Sequence, residues 1–574
     1  MTALSTEHPD QPSTLGSTHF NHRERIVMTR QTLITMLLAG LLSTPAAGQV
    51  TFERLLNADQ EPQNWLTYSG GYSSNRHTTL DQIHPGNLDQ LELAWIFQAN
   101  SLEAFQATPL VVDGIMYLTE PVNNVVALDA KRGNVFWKYE HTPSAEARPC
   151  CGAVNRGLAI LDQTLFLATI DGHLIAIDAV AGKPLWKTTV ADPAAGYALT
   201  LAPLVIKDKV IVGVAGGEYG IRGYIDAYDA NTGEQAWRFY TIPGPGDPGH
   251  ETWENDAWMT GGASAWLTGS YDPDLDLTYW GIGNPGPDLN PAQRPGDNLY
   301  SDSVVALDPD TGELEWHFQF TPNDPYDYDS VQIPVLMDVP DNRGGTLRLM
   351  LWANRNGFFY VLDRETGRFL NGDNFVPVNW ASGLDDNGRP VQTPQPPGAT
   401  TFPGIQGGTN WYSPSYSPQT GLFYVSAWEA YGSVFEPQDQ EYQVGRTFMG
   451  GRPANPFGAG ANVPGLRRGH VNTWTEAAGG GAVIAIDPRT SQQRWRLPMS
   501  DVTSSGILTS ASNLLFTGNR EGYFHILDAE TGNILWRKAL GGMIANGPMS
   551  YMVDDKQYIA VAAGHSMFVF ALPH

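Results

Sequence analysis

Four residues spread along the middle of the chain carry oxygen donors of the kind that hold hard cations: Glu218, Asn284, Asp327 and Asp329. They sit in VAGGEYGIRG, YWGIGNPGP and PNDPYDYDSV, stretches rich in glycine, proline or acidic residues. No His or Cys cluster with zinc spacing accompanies them. Arg156 in PCCGAVNRG and Arg355 in LWANRNG have the planar, forked donors that anchor acidic organic groups. Trp266, in GGASAW, has a face that can stack on a flat ring, although a core tryptophan is the commoner case. Taken singly, each carboxylate also fits a solvated loop.

Cys150 and Cys151 are the only cysteines, and they are neighbours. Adjacent Cα atoms are about 3.8 Å apart, whereas an ordinary disulfide prefers roughly 4.4–6.8 Å. A bond between them closes almost no loop, so it adds little as a chain-entropy staple. Two readings remain, a pair of reduced buried thiols or a functional vicinal disulfide, and an oxidising compartment favours the second. The N-terminus points to export. Arg30 precedes the apolar run LITMLLAGLL at 33–42 and then STPAAG, the pattern of a signal peptide. That run is shorter than the ~20 apolar residues of a spanning helix. Residues 1–27 do not look like an export signal, which makes Met28 the expected start. Residues 1–48 are therefore set aside as extension and signal peptide, and 49–574 is expected to be a single domain of a periplasmic protein.

The element that must position these groups is a repeat. VVALDAKRGNVFWKY, LIAIDAVAGKPLWKT, YIDAYDANTGEQAWRF, VVALDPDTGELEWHF, FYVLDRETGRFLNGD, VIAIDPRTSQQRWRL and FHILDAETGNILWRK share one punctuation. Each apolar strand ends in Asp, at 129, 178, 229, 308, 363, 487 and 528. Four residues on comes Gly in six of the seven, with Ser491 the exception. Eight residues on comes Trp in six of the seven, at 137, 186, 237, 316, 495 and 536. Asp capping a turn, Gly at positive φ and a following strand make a β-hairpin. The Trp is expected to dock between units. A spacing of about 40–50 residues predicts an all-β propeller of four-stranded blades. The gap from Asp363 to Asp487 is too wide for one blade, and SPSYSPQTGLFYVSAW at 413–428 reads as a degenerate copy, which brings the count to eight blades. MFVFAL at 567–572 is expected to close the ring against LELAWIF at 91–97.

Composition agrees. Gly is 61 and Pro 41 of 574 residues, and only 16% are charged, against about 25% in an average domain. With 34 basic and 60 acidic residues the net charge is −26, which argues against nucleic acid as a partner. The acidic surface suits a basic partner or serves solubility alone.

The combination of vicinal CC, AGGEYGIRG, GNPGP, RPGDN, DYD, RNG and the repeat resembles, over essentially the whole mature chain, the quinoprotein methanol/ethanol dehydrogenases that use pyrroloquinoline quinone (PQQ). The resemblance implies a Cys150–Cys151 disulfide over one face of the quinone and Trp266 beneath the other. Arg156, Thr200, Ser264, Asn410 with its neighbour Trp411, and the backbone at Gly216 and Gly217 match groups that bind the cofactor. Arg355 matches the arginine on the quinone oxygens. Glu218 and Asn284 match the metal ligands and Asp327 the catalytic base. Asp329 matches an aspartate of the lanthanide-dependent members, where calcium-dependent ones have a small residue, so a lanthanide(III) is expected ahead of Ca2+. Two departures stand out. Gln106 replaces the usual Glu two residues before TPL, and a tryptophan common in the last blades is missing around Thr503.

The implied reaction is oxidation of a primary alcohol to the aldehyde, with Asp327 taking the proton and hydride passing to the quinone. Polyol or sugar oxidation is the enzymatic alternative, and a non-catalytic propeller scaffold is the other. No CxxCH haem motif occurs in the chain, so a separate c-type cytochrome is the expected acceptor. A membrane-spanning form is not expected, and the oligomeric state is left open, a homodimer included.

Overall fold

A computed structural model describes residues 49–573, except 102, 104, 341–343, 394, 397, 430, 455, 458–460, 463–479, 500 and 501. The extension, the signal peptide and the start at Met28 lie outside the described residues. Each of the seven repeats forms the outer hairpin of an antiparallel four-stranded blade, and a closing blade brings the number to eight; the seventh carries a fifth short strand, His77–Thr78, parallel to its first. The blades span 110–139, 159–189, 204–240, 270–319, 335–374, 415–499 and 508–539 (blades 1 to 7), and blade 8 joins 549–571 to the early strand Glu92–Gln98. No helix among the described residues is long and apolar enough to cross a membrane.

The repeat does what its residue types dictate. In blade 4 the Asp308 carboxylate accepts from the N–H groups of Asp310 (2.7 Å) and Thr311 (3.0 Å), and its carbonyl accepts from Gly312 N–H (2.9 Å). Gly312 sits at φ 74°, where a side chain is disfavoured. The tryptophan four residues later belongs to the same blade but docks on the next one. Trp186 lies on Gly233, Trp237 on Gly312 and Trp495 on Gly532, where an added Cβ would come within 2.6–2.7 Å of the ring. The indole N–H of Trp186 donates to the Ala230 carbonyl (3.2 Å) and that of Trp237 to the Pro309 carbonyl (3.0 Å), both in that same turn, whereas Trp316 Nε1 has no such partner.

The exceptions in the repeat explain each other. Blade 5 has Asn371 where the others have Trp, and the turn it faces, in blade 6, has Ser491 instead of Gly. The Ser491 hydroxyl bonds the Asn371 side chain, and Ser491 keeps the left-handed conformation at φ 56°. With no ring over the turn, a Cβ is tolerated.

Ring closure follows the expected pairing. Glu92–Gln98 runs antiparallel to Ser566–Ala571, with Trp95 opposite Val569 and Phe97 opposite Met567. Trp95 then docks on Gly133 of blade 1 and donates to the Ala130 carbonyl (3.1 Å). The count of eight holds, but not for the reason the spacing suggested. Ser415–Ser417 and Leu422–Trp428 are not a separate blade. They are the first two strands of blade 6 and pair directly with Gly481–Asp487 and Gln492–Met499. The wide gap is filled by hairpins outside the blades, Ala381–Leu384 with Pro390–Gln392 and Val434–Pro437 with Gly451–Ala454. The eighth blade is the closing one, whose outer strand comes from the other end of the chain.

Antiparallel order has one consequence for function. Within a blade, the first-to-second and third-to-fourth turns emerge on one side, and the Asp–Gly turns lie there. The second-to-third connections and the links between blades emerge on the opposite side. Gly233→Ala should therefore lower stability by more than about 1 kcal/mol in urea unfolding, while Ser491→Gly should be close to neutral. Equal losses at both positions would contradict the docking of Trp186 as the cause.

Candidate active site

Every residue singled out from the sequence lies on that second side. Glu218, Asn284 and Arg355 are on the second-to-third connections of blades 3, 4 and 5. Gln106, Cys150, Cys151, Arg156, Thr200, Ser264, Trp266, Asp327, Asp329, Asn410 and Trp411 are on links between blades. A single face thus gathers side chains separated by some three hundred residues of sequence.

Cys150 and Cys151 are joined in a vicinal disulfide, with Cα atoms 3.8 Å apart. Cys150 Sγ lies 2.9 Å from Glu218 Oε1. A disulfide sulfur has no proton to donate, so this is a contact that brings the pair onto the Glu218 loop. Among the described residues these three form the one set of metal-type donors within 4.8 Å of one another, yet disulfide sulfurs lack the thiolate charge a metal needs.

Arg156 is buried, with its guanidinium 5.0 Å from the Trp266 ring and 5.2 Å from the Trp411 ring. Nη1 donates to the Thr200 carbonyl (3.2 Å), Thr200 Oγ1 donates to the Trp266 carbonyl (3.3 Å), and Arg156 Nε has no partner. Burial lowers its pKa to about 10. The Arg156 carbonyl accepts from Thr108 N–H (3.1 Å), which ties in the segment bearing Gln106, whose Oε1 is buried without a partner. Asn410 Nδ2 donates to the Gln406 carbonyl (3.0 Å), and its Oδ1 accepts from Trp411 N–H (2.9 Å).

Gly216 and Gly217 bring backbone close to this group. Gly216, at φ 120°, leaves no room for a Cβ, which would fall 2.2 Å from the Gly196 carbonyl. At Gly217 a Cβ would lie 3.4 Å from Ser264 Oγ and 3.7 Å from Asn284 Oδ1. Asn284 N–H donates to Asp329 Oδ1 (3.0 Å), and Asp329 Oδ2 pairs closely with Arg355 Nη1. Arg355 Nη2 reaches Asp327 Oδ2 at 3.3 Å, while its Nε is unpartnered. Asp327 adopts φ 62°, a strained left-handed conformation for a side-chain-bearing residue. Its carboxyl is 16% exposed against 8% for Asp329, so it is the more accessible of the two.

The structure adds acidic residues that motif reading passed over. Asp288, Asp302 and Asp324 are fully buried. Asp302 has no hydrogen-bond partner on either oxygen, and Asp288 feels the Asn284 amide without reaching good geometry. Asp324 is held by the N–H groups of Tyr326 (2.8 Å) and Tyr328 (2.6 Å). Burial, reinforced by neighbouring carboxylates, pushes Asp288 and Asp302 well above the usual range. Burial raises Glu218 to about 7 and Asp324 to about 6. Burial also raises Asp327, against the pull of Arg355. Six carboxyl groups therefore share a low-dielectric region with two guanidiniums, Arg355 and Arg294, and Arg294 donates to the carbonyls of Pro287 and Asp288 and to Asn298. Such an imbalance favours a multivalent cation held by oxygen. The unpartnered Arg156 and Arg355 nitrogens and Gln106 Oε1, with the Trp266 face beside Arg156, fit a flat acidic cofactor. The signal for the missed aspartates was their adjacency to motifs, in GNPGPD and RPGDNLYSD.

Trp428 donates to the Thr503 carbonyl (2.7 Å) and packs with Tyr412, Tyr431, Ile405 and Val502 beside Trp411.

A family model described as PQQ-dependent glucose/ethanol/alcohol dehydrogenase, β-propeller domain, matches residues 65–382 and 381–559. A quinoprotein alcohol dehydrogenase, PedH, of Pseudomonas putida is 36% identical, covering 92% of this chain and 91% of its own. A lanthanide-dependent methanol dehydrogenase of Methylacidiphilum fumariolicum is 37% identical, covering 92% and 89%. A solved europium-containing methanol dehydrogenase superposes with a TM-score of 0.83 at 34% identity, covering 91% of this chain and all of that one.

Gly283 gives a test of the geometry. A Cβ there would fall 2.3 Å from Asp329 Oδ1 and 3.0 Å from the Ser264 carbonyl. Gly283→Ala should force the Asp329 carboxylate aside and cost about 1–3 kcal/mol in urea unfolding, the usual cost of overpacking. Unchanged stability would show that the Asp329 carboxylate does not need that space.

Proposed function

The chain belongs to the PQQ-dependent dehydrogenase family of β-propellers, and we propose that its reaction is oxidation of a primary alcohol to the aldehyde, with a lanthanide(III) as resident cation and electrons leaving to a separate c-type cytochrome in the periplasm. The observation that carries the choice of cation is the crowd of carboxyl groups. Glu218, Asp327 and Asp329 offer three carboxyl groups, with Asp288, Asp302 and Asp324 buried around them. Burial biases most of these toward the neutral form, and a trivalent ion draws them to the ionised form more strongly than a divalent one.

When bound, PQQ supplies the two-electron acceptor and the cation supplies Lewis acidity. The chain's own residues do the rest. Glu218, Asn284, Asp327 and Asp329 would hold the cation, and Arg156, Thr200, Ser264, Asn410 and the Gly216–Gly217 backbone would hold the cofactor's acidic edge. Trp266 and the disulfide would bracket its plane, while Gln106 offers an amide where relatives of the family have a charge. Asp327 accepts the hydroxyl proton of the alcohol. Burial raises its pKa, and Arg355 at 3.3 Å opposes that rise and aims the carboxyl. The apolar cluster around Trp428 and Tyr431 excludes water from that edge. The net charge of −26 suits a basic docking face on the cytochrome.

Reconstitution tests the reading directly. Dye-linked alcohol oxidation should appear when PQQ and La3+ are added to metal-free protein, across a panel of primary alcohols. Activity with Ca2+ alone would overturn the lanthanide assignment, and turnover restricted to polyols or sugars would overturn the substrate class. Asp327→Ala should abolish turnover while the bound-quinone absorbance persists; retained turnover would remove Asp327 from the base role.

A further inference from the structure

Blade 6 carries its largest insertion between Leu422–Trp428 and Gly481–Asp487. Its described part is a hairpin, Val434–Pro437 paired with Gly451–Ala454, with the connecting residues 438–450 looped out beyond it. That loop is tied to itself. Gln438 N–H donates to the Gly450 carbonyl (2.8 Å), Gln440 Nε2 donates to the Thr447 carbonyl (2.5 Å), and Gly450 N–H donates to Gln440 Oε1 (3.0 Å).

The loop then reaches away from its own blade to the connections of blades 3 and 4. Phe448 N–H donates to the Glu218 carbonyl at 2.6 Å. Phe448 is buried, packs edge-on against Tyr442 at 5.5 Å, and the two rings cover Gly220, where a Cβ would meet them at 2.9–3.0 Å. Gly220 stands at φ 63° and ends the short turn that begins at Gly217 and contains Glu218. Two residues therefore grip the Glu218 turn, one through its carbonyl and one through its end. On the Asn284 side, Leu289 N–H donates to the Met449 carbonyl (2.8 Å), Asn290 Nδ2 to Asp439 Oδ1 (3.1 Å) and Gln293 Nε2 to the Gln440 carbonyl (2.9 Å). At the base of the hairpin, Phe435 packs on Tyr326 at 5.1 Å, one residue before Asp327.

The strap thus touches the segments that carry Glu218 and Asn284, and the hairpin that bears it packs on the segment that carries Asp327. We infer that residues 438–450 are a clamp for the cation site: Phe448 is a positioning residue that fixes the Glu218 turn, and docking of the strap and binding of the cation reinforce each other. The inference rests on the proposed cation site. Phe448 touches neither reacting atoms nor cation, since its contacts are a main-chain carbonyl and Gly220. The physical reason for a clamp is the poverty of the turn itself. Gly216, Gly217 and Gly220 have no side chains to anchor them, and the turn bears a carboxylate that its carboxylate neighbours repel. Reciprocity follows from linkage, because whatever the strap adds to cation affinity the cation adds to strap docking.

The test uses the full metal-free chain and europium(III) alone, read by its luminescence. Phe448→Ala should weaken europium(III) binding about tenfold with the thermal transition of the ring unmoved, and Phe448→Leu, which refills the space over Gly220, should restore most of the affinity. Wild-type affinity in a folded Phe448→Ala protein would overturn the clamp. Amide exchange on the unaltered protein decides the matter even if Phe448→Ala fails to fold. Europium(III) should slow exchange along 445–449 together with the Glu218 turn. Slowing of the turn with no change in the strap would overturn the linkage. Failure of the wild-type chain to bind europium(III) would instead remove the cation site on which the inference stands.

Discussion

The ring stands on the docking of an indole over a side-chain-less turn in the next blade. Each such contact removes a large apolar face from water, and at Trp95, Trp137, Trp186, Trp237 and Trp495 the indole N–H is satisfied within the same few residues. It also demands that the receiving residue lack a Cβ, which is why Gly and Trp are coupled across blades and not within them. Asn371 and Ser491 are the informative pair: where the ring is lost, the glycine is lost too, and a polar contact takes over. Trp95 on Gly133 uses the same device, so the boundary between blades 8 and 1 is built like those where Trp186, Trp237 and Trp495 dock.

A rigid ring allows its other face to be expensive. Buried carboxyl groups that repel one another, a strained Asp327 and guanidiniums with unpartnered nitrogens all cost stability locally. They persist because the loops on that face are anchored at both ends by packed strands, or are held by one another. Arg294 illustrates the second case, since it bonds the carbonyls of Pro287 and Asp288 and so staples the loop that follows Asn284. The blade 6 insertion is the longer-range version, reaching over the face to residues of blades 3 and 4.

The charge pattern and the aromatic pattern divide the site's work. Arginine, tryptophan and the disulfide shape a slot for a flat acidic molecule, whereas the carboxyl groups gather where a cation would lie. Arg355 belongs to both halves, because it pairs with Asp327 and Asp329 and keeps one nitrogen free. Under the proposed function, a single arginine at that junction would link binding of the cofactor to the ionisation of Asp327.

Much of this was legible in the residues alone. The Asp–Gly–Trp punctuation is local hairpin chemistry, so it announced four-stranded blades, and the apolar strands at 91–97 and 567–572 announced the closure. The cysteine pair, Glu218, Asn284, Asp327, Asp329 and Arg355 stood out because each interrupts a repeat that has no need of it. What a spacing argument misjudged was blade 6, since an insertion between two paired strands looks the same in sequence as an extra unit. Asp288, Asp302 and Asp324 were silent for a related reason: an aspartate in a loop is ordinarily solvated, and only packing reveals that these three are shut away from water. Phe448 was silent as well, because its meaning lies in a partner more than two hundred residues away. Short-range rules of turn and strand decide which blades form. Which loops meet over them depends on the closure of the ring, and that is decided only when all eight blades are in place.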